Sequence, residues 1–182
     1  MKKWKTLYTE TLYKHPRLTL VEDTVLLPNG HRTEYLMFGN QKDSVMVICI
    51  DKDKVLVQRE YAYPIKKRIF QFPGGAIEHG ESIESAANRE LAEESNLTAR
   101  NWKNLGWIYT NIRRTNVKMH IMLASDFRYT DALASDIEEE ISSEWIPMAE
   151  LESKIRNNTV HNSTVLIGWA LYKSLQCTDV HI

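Results

Sequence analysis

Apolar residues recur along this 182-residue chain with two different periods, one suited to strands and one to helices. The strand pattern dominates the first half. Leu18–Leu27 reads as a strand and Arg32–Phe38 as its partner. Between them Pro28-Asn29-Gly30 is a turn signal, because proline presets φ and Asn-Gly tolerates positive φ. Ser44–Ile50 is strongly β-branched, and Lys54–Glu60 follows across Asp51-Lys52-Asp53, which predicts a second hairpin. Arg68–Phe72 is a short strand running into Pro73-Gly74-Gly75. Then the period changes. Ile83, Ala86, Ala87 and Leu91 recur at helical spacing, so a helix is expected from near Ser82 to about Ser95. Asn96 suits the left-handed position that ends it. Asn101–Asn111, Lys118–Ser125 and Ser143–Pro147 read as strands. Met148–Asn157 reads as a short helix, and Ser163–Gln176 as a final one capped by Asn162 or Ser163.

Strands thus come mostly in hairpins with few helices between them. That pattern predicts an α+β fold with a mixed sheet flanked by helices, not a doubly wound parallel sheet. Residues 1–42 are expected to form a separate antiparallel β arm, and residues 43–182 the main domain.

Composition narrows the function without naming it. The chain is 43% hydrophobic and 26% charged, ordinary for a globular domain. Lys+Arg is 23 and Asp+Glu is 24, a net charge of -1. Nothing in that balance draws the whole chain to nucleic acid or an anionic membrane. An anionic ligand must be held by a local site or by bound cations. No run approaches the roughly 18 apolar residues of a membrane span. No secretory-type apolar stretch follows the basic start Met1-Lys-Lys-Trp-Lys. Cys49 and Cys177 show neither metal-ligand spacing nor a disulfide framework. The expectation is a cytoplasmic protein whose partners are small molecules, not membranes or nucleic acids.

The chemistry concentrates in residues 75–97, GAIEHGESIESAANRELAEESNL. In a helix, residues three and four apart share a face, so Glu90 stands with Glu93 and Glu94. Arg89 reaches Glu93 at i+4. Three carboxylates on one face repel unless something cationic sits among them. An oxygen-only set with clustered charge suits a hard ion, Mg²⁺ or Mn²⁺, and not zinc. The Pro-Gly-Gly turn just before could add a glycine carbonyl. A bare E-x-x-E-E is more often a solvated helix face; the longer pattern decides against that reading.

That pattern resembles the Nudix box, G-x5-E-x7-R-E-U-x-E-E-x-G-U with U aliphatic. Gly75, Glu81, Arg89, Glu90, Leu91, Glu93, Glu94 and Leu97 match at the family spacings, and Asn96 replaces the helix-ending glycine. The resemblance implies a Nudix-type α/β/α sandwich and a pyrophosphohydrolase cutting a nucleoside diphosphate linked to another group. It implies metal ligation by Glu90, Glu93, Glu94 and the Gly74 carbonyl, with Glu81 bracing Arg89. The family also uses a carboxylate outside the box as base or extra ligand. Here Asp136-Ile-Glu-Glu-Glu-Ile141 offers Glu139 first, with Glu138 and Glu140 beside it.

Over most of its length the chain is also similar to the ADP-ribose and nucleotide-sugar pyrophosphatase subgroup, in the N-terminal hairpin, the segment Val55–Pro64 and the closing helix. In that subgroup the N-terminal unit mediates dimerisation, which implies a homodimer here. The chain departs from the subgroup at Ala62, at Gln71-Phe-Pro-Gly-Gly75 and in Asn111-Ile-Arg-Arg-Thr115, which lacks a proline. Substrate contacts are expected from Arg59, Arg113 and Arg114 on phosphate oxygens and from Tyr61 on a base. A nucleoside triphosphate or dinucleoside polyphosphate substrate, and a non-catalytic nucleotide-sensing module, stand as alternatives.

Overall fold

The computed structural model describes residues 3–131 and 141–176. Its α+β chain forms two compact units, Met1–Lys42 with Tyr109–Lys118, and Asp43–Ile108 with Met119–Ile182.

The first unit carries a three-stranded antiparallel sheet, β1 (Lys5–His15), β2 (Leu18–Leu26) and β3 (Arg32–Gly39), in the order β1-β2-β3. The β2–β3 turn closes through Gly30 N–H to Leu27 O at 2.9 Å, with Gly30 at φ +85°. Asn29 Oδ1 accepts from His31 N–H at 3.0 Å, the local side-chain bond that makes Asn a turn former. Strand β1 carries no strand signal that the sequence reading found, and the reason is geometric. Its register against β2 shifts between Thr6 and Tyr8 and again between Thr11 and Tyr13. Each shift inserts one unpaired residue, a β-bulge, so the twofold alternation that marks a strand is broken twice.

The second unit is built on a seven-stranded mixed sheet: β4 (Ser44–Asp51), β5 (Lys54–Ala62), β6 (Lys67–Gln71), β7 (Gly74–Ala76), β8 (Leu97–Tyr109), β9 (Lys118–Tyr129) and β10 (Ile141–Pro147). The order is β10-β5-β4-β9-β8, with β6 added to β5 and β7 to β4. Strands β4 and β9 run parallel, and the other pairings described are antiparallel. A single 3₁₀ turn, Tyr63–Ile65, joins β5 to β6. Strand β8 begins at Leu97, four residues before its expected start, because Leu97 and Ala99 are buried in the core and only the helix end at Asn96 separates them from it.

The sheet is covered on both faces. Along β4, alternate side chains point opposite ways. Val45, Val47 and Cys49 pack with Leu91, Ala86 and Ala87 of helix α1 (Ile83–Ser95). Met46 and Ile48 pack with Leu151 of α2 (Met148–Arg156) and with Val165, Trp169 and Tyr172 of α3 (Ser163–Gln176). A strand buried on both sides explains the continuous apolar run Val45–Ile50.

Strands β4 and β5 pair only at their tip, Ile50 with Val55 and Asp51 with Lys54. Further on each takes its own partner. Strand β7 lies on Ser44–Met46, and β6 lies on Gln58–Ala62. The sheet is forked, and Phe72-Pro73 carries the chain from one tine to the other. Val47 N–H donates to Pro73 O at 2.7 Å and secures the crossing.

Candidate active site

Helix α1 begins where a cap can satisfy its first turn. Ser82 Oγ accepts from Ser85 N–H at 3.1 Å, the N-cap bond that orphan amides require. It ends at Asn96, φ 54°, whose N–H donates to Ala92 O at 3.0 Å. The asparagine thus does the glycine's job. Alanines at 86 and 87 are fully buried and let the helix approach β4 closely.

Arg89 is the hub of the carboxylates. Its Nε and Nη2 donate to Glu81 Oε1 and Oε2, each at 3.1 Å, a bidentate pair. Its Nη1 donates to Glu90 Oε1 at 2.9 Å and to Glu93 Oε2 at 3.2 Å. Nη2 also reaches Ala76 O at 2.9 Å. The cation demanded by three carboxylates on one face is therefore supplied in part by the chain itself. The Arg89 hydrogen bonds hold the Glu81 carboxyl below the ordinary carboxylate range, with help from the Glu78 backbone. The Glu81 bond in turn raises the Arg89 guanidinium above its own usual value. Glu81 Oε2 further accepts from Glu78 N–H at 3.0 Å, which closes the box loop.

The glycine turn meets the helix at two points. Gly74 N–H donates to Glu94 Oε2 at 2.9 Å. Gly74 has φ +152°, and a Cβ there would lie 2.1 Å from Val45 O. At Gly75 a Cβ would fall 2.4 Å from Glu90 Oε1. Gly74 is therefore required by backbone, while a side chain at 75 would have to displace the Glu90 carboxylate.

Among the described residues no three His, Cys, Asp or Glu side chains are already gathered as a metal nest. Glu90 and Glu93 lean on Arg89, and Glu94 leans on Gly74. The residues nevertheless fit a hard divalent cation. The donors are all oxygen, and Glu90 occupies a cradle that any side chain at 75 would fill.

The expected substrate residues are divided between the two units. Arg59 pairs with Glu144 at 2.8 Å, and its guanidinium lies 4.5 Å from the Phe70 ring centroid. Tyr61 is exposed on β5 opposite Arg68. Arg113 and Arg114 belong to the first unit, where Arg114 Nη1 donates to Leu36 O at 2.9 Å. Glu139 lies outside the described residues, as do Glu138 and Glu140.

Sequence reasoning passed over Gln58. It is fully buried, and its Nε2 donates to Glu94 Oε2 at 3.0 Å. The available signal was an amide closing the apolar run Val55–Val57, at a position the strand alternation turns inward.

Residues 40–166 match the NUDIX domain model, about seven-tenths of the chain. The chain belongs to the NUDIX family. Residues 4–35 separately match the nucleoside diphosphate sugar hydrolase N-terminal domain. The chain is 30% identical over 146 residues to the ADP compounds hydrolase NudE of Escherichia coli, covering 80% of this chain and 78% of that one. It is 26% identical over 122 residues to the ADP-ribose pyrophosphatase of Bacillus subtilis, covering 67% and 66%. A crystal structure of an ADP compounds hydrolase superposes with a TM-score of 0.90 at 24% identity, over 100% of this chain and 98% of that one. The α/β/α architecture expected from the box is therefore the observed one. With its box carboxylates, Arg89 and glycine turn in place, the chain is a Nudix pyrophosphohydrolase in class.

Proposed function

We propose that the protein hydrolyses the pyrophosphate bond of a nucleoside diphosphate linked to a second group, with ADP-ribose or another ADP-linked nucleotide sugar as substrate and Mg²⁺ as cofactor, Mn²⁺ substituting. The observation that carries this is the pairing of a box complete but for Asn96, knit by Arg89, with an N-terminal segment of the nucleoside diphosphate sugar hydrolase type.

On this reading Glu90, Glu93, Glu94 and the Gly74 carbonyl hold the metal. A bound divalent ion neutralises the diphosphate and lowers the pKa of water. Arg89 keeps the helix carboxylates aligned, and Glu81 fixes Arg89. Glu139 is the carboxylate that takes the proton from the attacking water. Arg59, Tyr61, Arg113 and Arg114 are candidate substrate contacts.

A homodimer follows from the same reading. Strand β1 leaves Tyr8 and Tyr13 exposed, with Trp4 exposed just before it and Tyr8 61% accessible. That much aromatic surface on and beside one strand suits a partner chain.

The test is a panel of ADP-ribose, GDP-mannose, nucleoside triphosphates and dinucleoside polyphosphates, each with Mg²⁺, with Mn²⁺ and with a chelator. Release of AMP and ribose phosphate from ADP-ribose, abolished by chelation, is expected. Preference for triphosphates would favour the alternative suggested by Gln71-Phe-Pro-Gly-Gly75. Binding without turnover under every condition would leave a nucleotide-sensing module.

A further inference from the structure

We propose that Gln58 is a positioning residue for Glu94: its buried amide selects the carboxylate rotamer that presents Glu94 to a divalent cation. The inference rests on the reading above, in which Glu94 is a metal ligand.

Gln58 sits in a row that crosses three strands. It is directly opposite Gln71 on β6 and Ser143 on β10. Residues opposite one another on adjacent strands face the same side. That side is the one toward α1, because Leu56, two residues earlier on β5, packs in the α1 core. The row therefore meets the C-terminal end of the catalytic helix. Ser143 Oγ donates to Glu94 O at 3.0 Å and lies 2.9 Å from Ser95 Oγ.

The amide has one workable orientation. Gln71 Nε2 donates to Gln58 Oε1 at 3.2 Å. That leaves Nε2 for Glu94 Oε2 at 3.0 Å, with Ser95 Oγ and Ser143 Oγ farther off at 3.3 and 3.4 Å. A flipped amide would set two donors against each other at Gln71 and two acceptors against each other at Glu94. With Gly74 N–H, Gln58 gives Glu94 Oε2 two neutral donors. Neutral donors fix a carboxylate without cancelling its charge. Arg89 does the opposite for Glu90 and Glu93, aligning them while offsetting their charge. Partners that fix the orientation of a metal ligand in this way tune its affinity for the metal.

The test compares the full-length wild type with Gln58→Met, Gln71→Met and Glu94→Gln. Mn²⁺ affinity is measured by electron paramagnetic resonance in the absence of substrate. Then kcat and KM for ADP-ribose are measured at saturating Mn²⁺, with the metal-free unfolding midpoint alongside. Gln58→Met should weaken Mn²⁺ binding by about 10–100-fold, with the substrate KM unchanged once metal saturates. Gln71→Met, which only unfixes the amide, should weaken it less. Unaltered Mn²⁺ affinity in Gln58→Met, even with a lowered midpoint, overturns the proposal. Should Gln58→Met not fold, unaltered affinity in Gln71→Met overturns it equally. If Glu94→Gln also binds Mn²⁺ like the wild type, it is the assignment of Glu94 as ligand that falls.

Discussion

Gly74 and Glu94, twenty residues apart, are joined by a single hydrogen bond of 2.9 Å from the Gly74 amide to the Glu94 carboxylate. It ties the glycine turn to the helix that follows it. The turn cannot accept a side chain at 74, since a Cβ would strike Val45 O at 2.1 Å. Gly74→Ala should therefore lower stability by about 3 kcal/mol or more, read from urea denaturation. Gly75→Ala meets a movable carboxylate instead of backbone. It should cost less stability but displace Glu90 and depress kcat.

Removal of Arg89 is expected to destabilise the box helix. Arg89→Met leaves Glu81, Glu90 and Glu93 without their shared cation. The site is partly open, with the Arg89 side chain 29% exposed, so the loss should be about 2 kcal/mol, below that of a fully buried pair. Arg89→Lys should recover little, because a lysine cannot make the bidentate contact to Glu81. Thermal and urea unfolding of the three proteins decide it.

Acid should expose the Glu81 contribution. Its folded carboxyl titrates below its unfolded one. The unfolded chain therefore binds the proton first, and stability falls as pH falls. The contribution is complete above the unfolded carboxylate pKa and disappears as pH drops through the lower folded value. Glu81→Gln should be destabilised at pH 7, with the gap to wild type closing in strong acid. A gap of constant size would exclude titration of Glu81 as its source.

For the metal ligands the expectation is steeper. Glu93→Gln and Glu94→Gln should each lower kcat by roughly 100-fold or more, since even outer partners of metal ligands cost 10–100-fold. A chelator should abolish turnover and Mg²⁺ should restore it. Among Glu138→Gln, Glu139→Gln and Glu140→Gln, only the change at 139 should reduce kcat to a comparable extent while leaving KM near wild type.

Cys49 offers a check on the core. It is wholly buried, and burial pushes its thiol well above the ordinary range. In a Cys177→Ser background, a thiol reagent should not react with the native protein and should react at the rate of unfolding.

The helix and its chemistry were legible because each local rule agreed with the fold. Ser82 and Asn96 cap where residue type places them, and the i+4 spacing brings Arg89 to Glu93. Strand β1 was not legible, because its two bulges break the alternation on which strand reading depends. The early start of β8 at Leu97 was masked by the helix stop immediately before it. Gln58 escaped for a different reason. Its role depends on register across β6, β5 and β10, and a linear pattern carries no register between strands 13 and 85 residues apart.

The forked sheet bears on how the chain tolerates change in length. The glycine turn is held as strand β7 on one tine and prepared by β6 on the other, so Gln71–Ala76 has no slack. One inserted residue there would turn Gly74 and Gly75 to the wrong faces. The next stretch is pinned too, by Ile77 N–H on Asp43 O at 2.9 Å and by Glu81 on Arg89, in keeping with the fixed spacing between Gly75 and Glu81. Amide exchange at Val47 and Gly74 should therefore rank among the slowest in the domain.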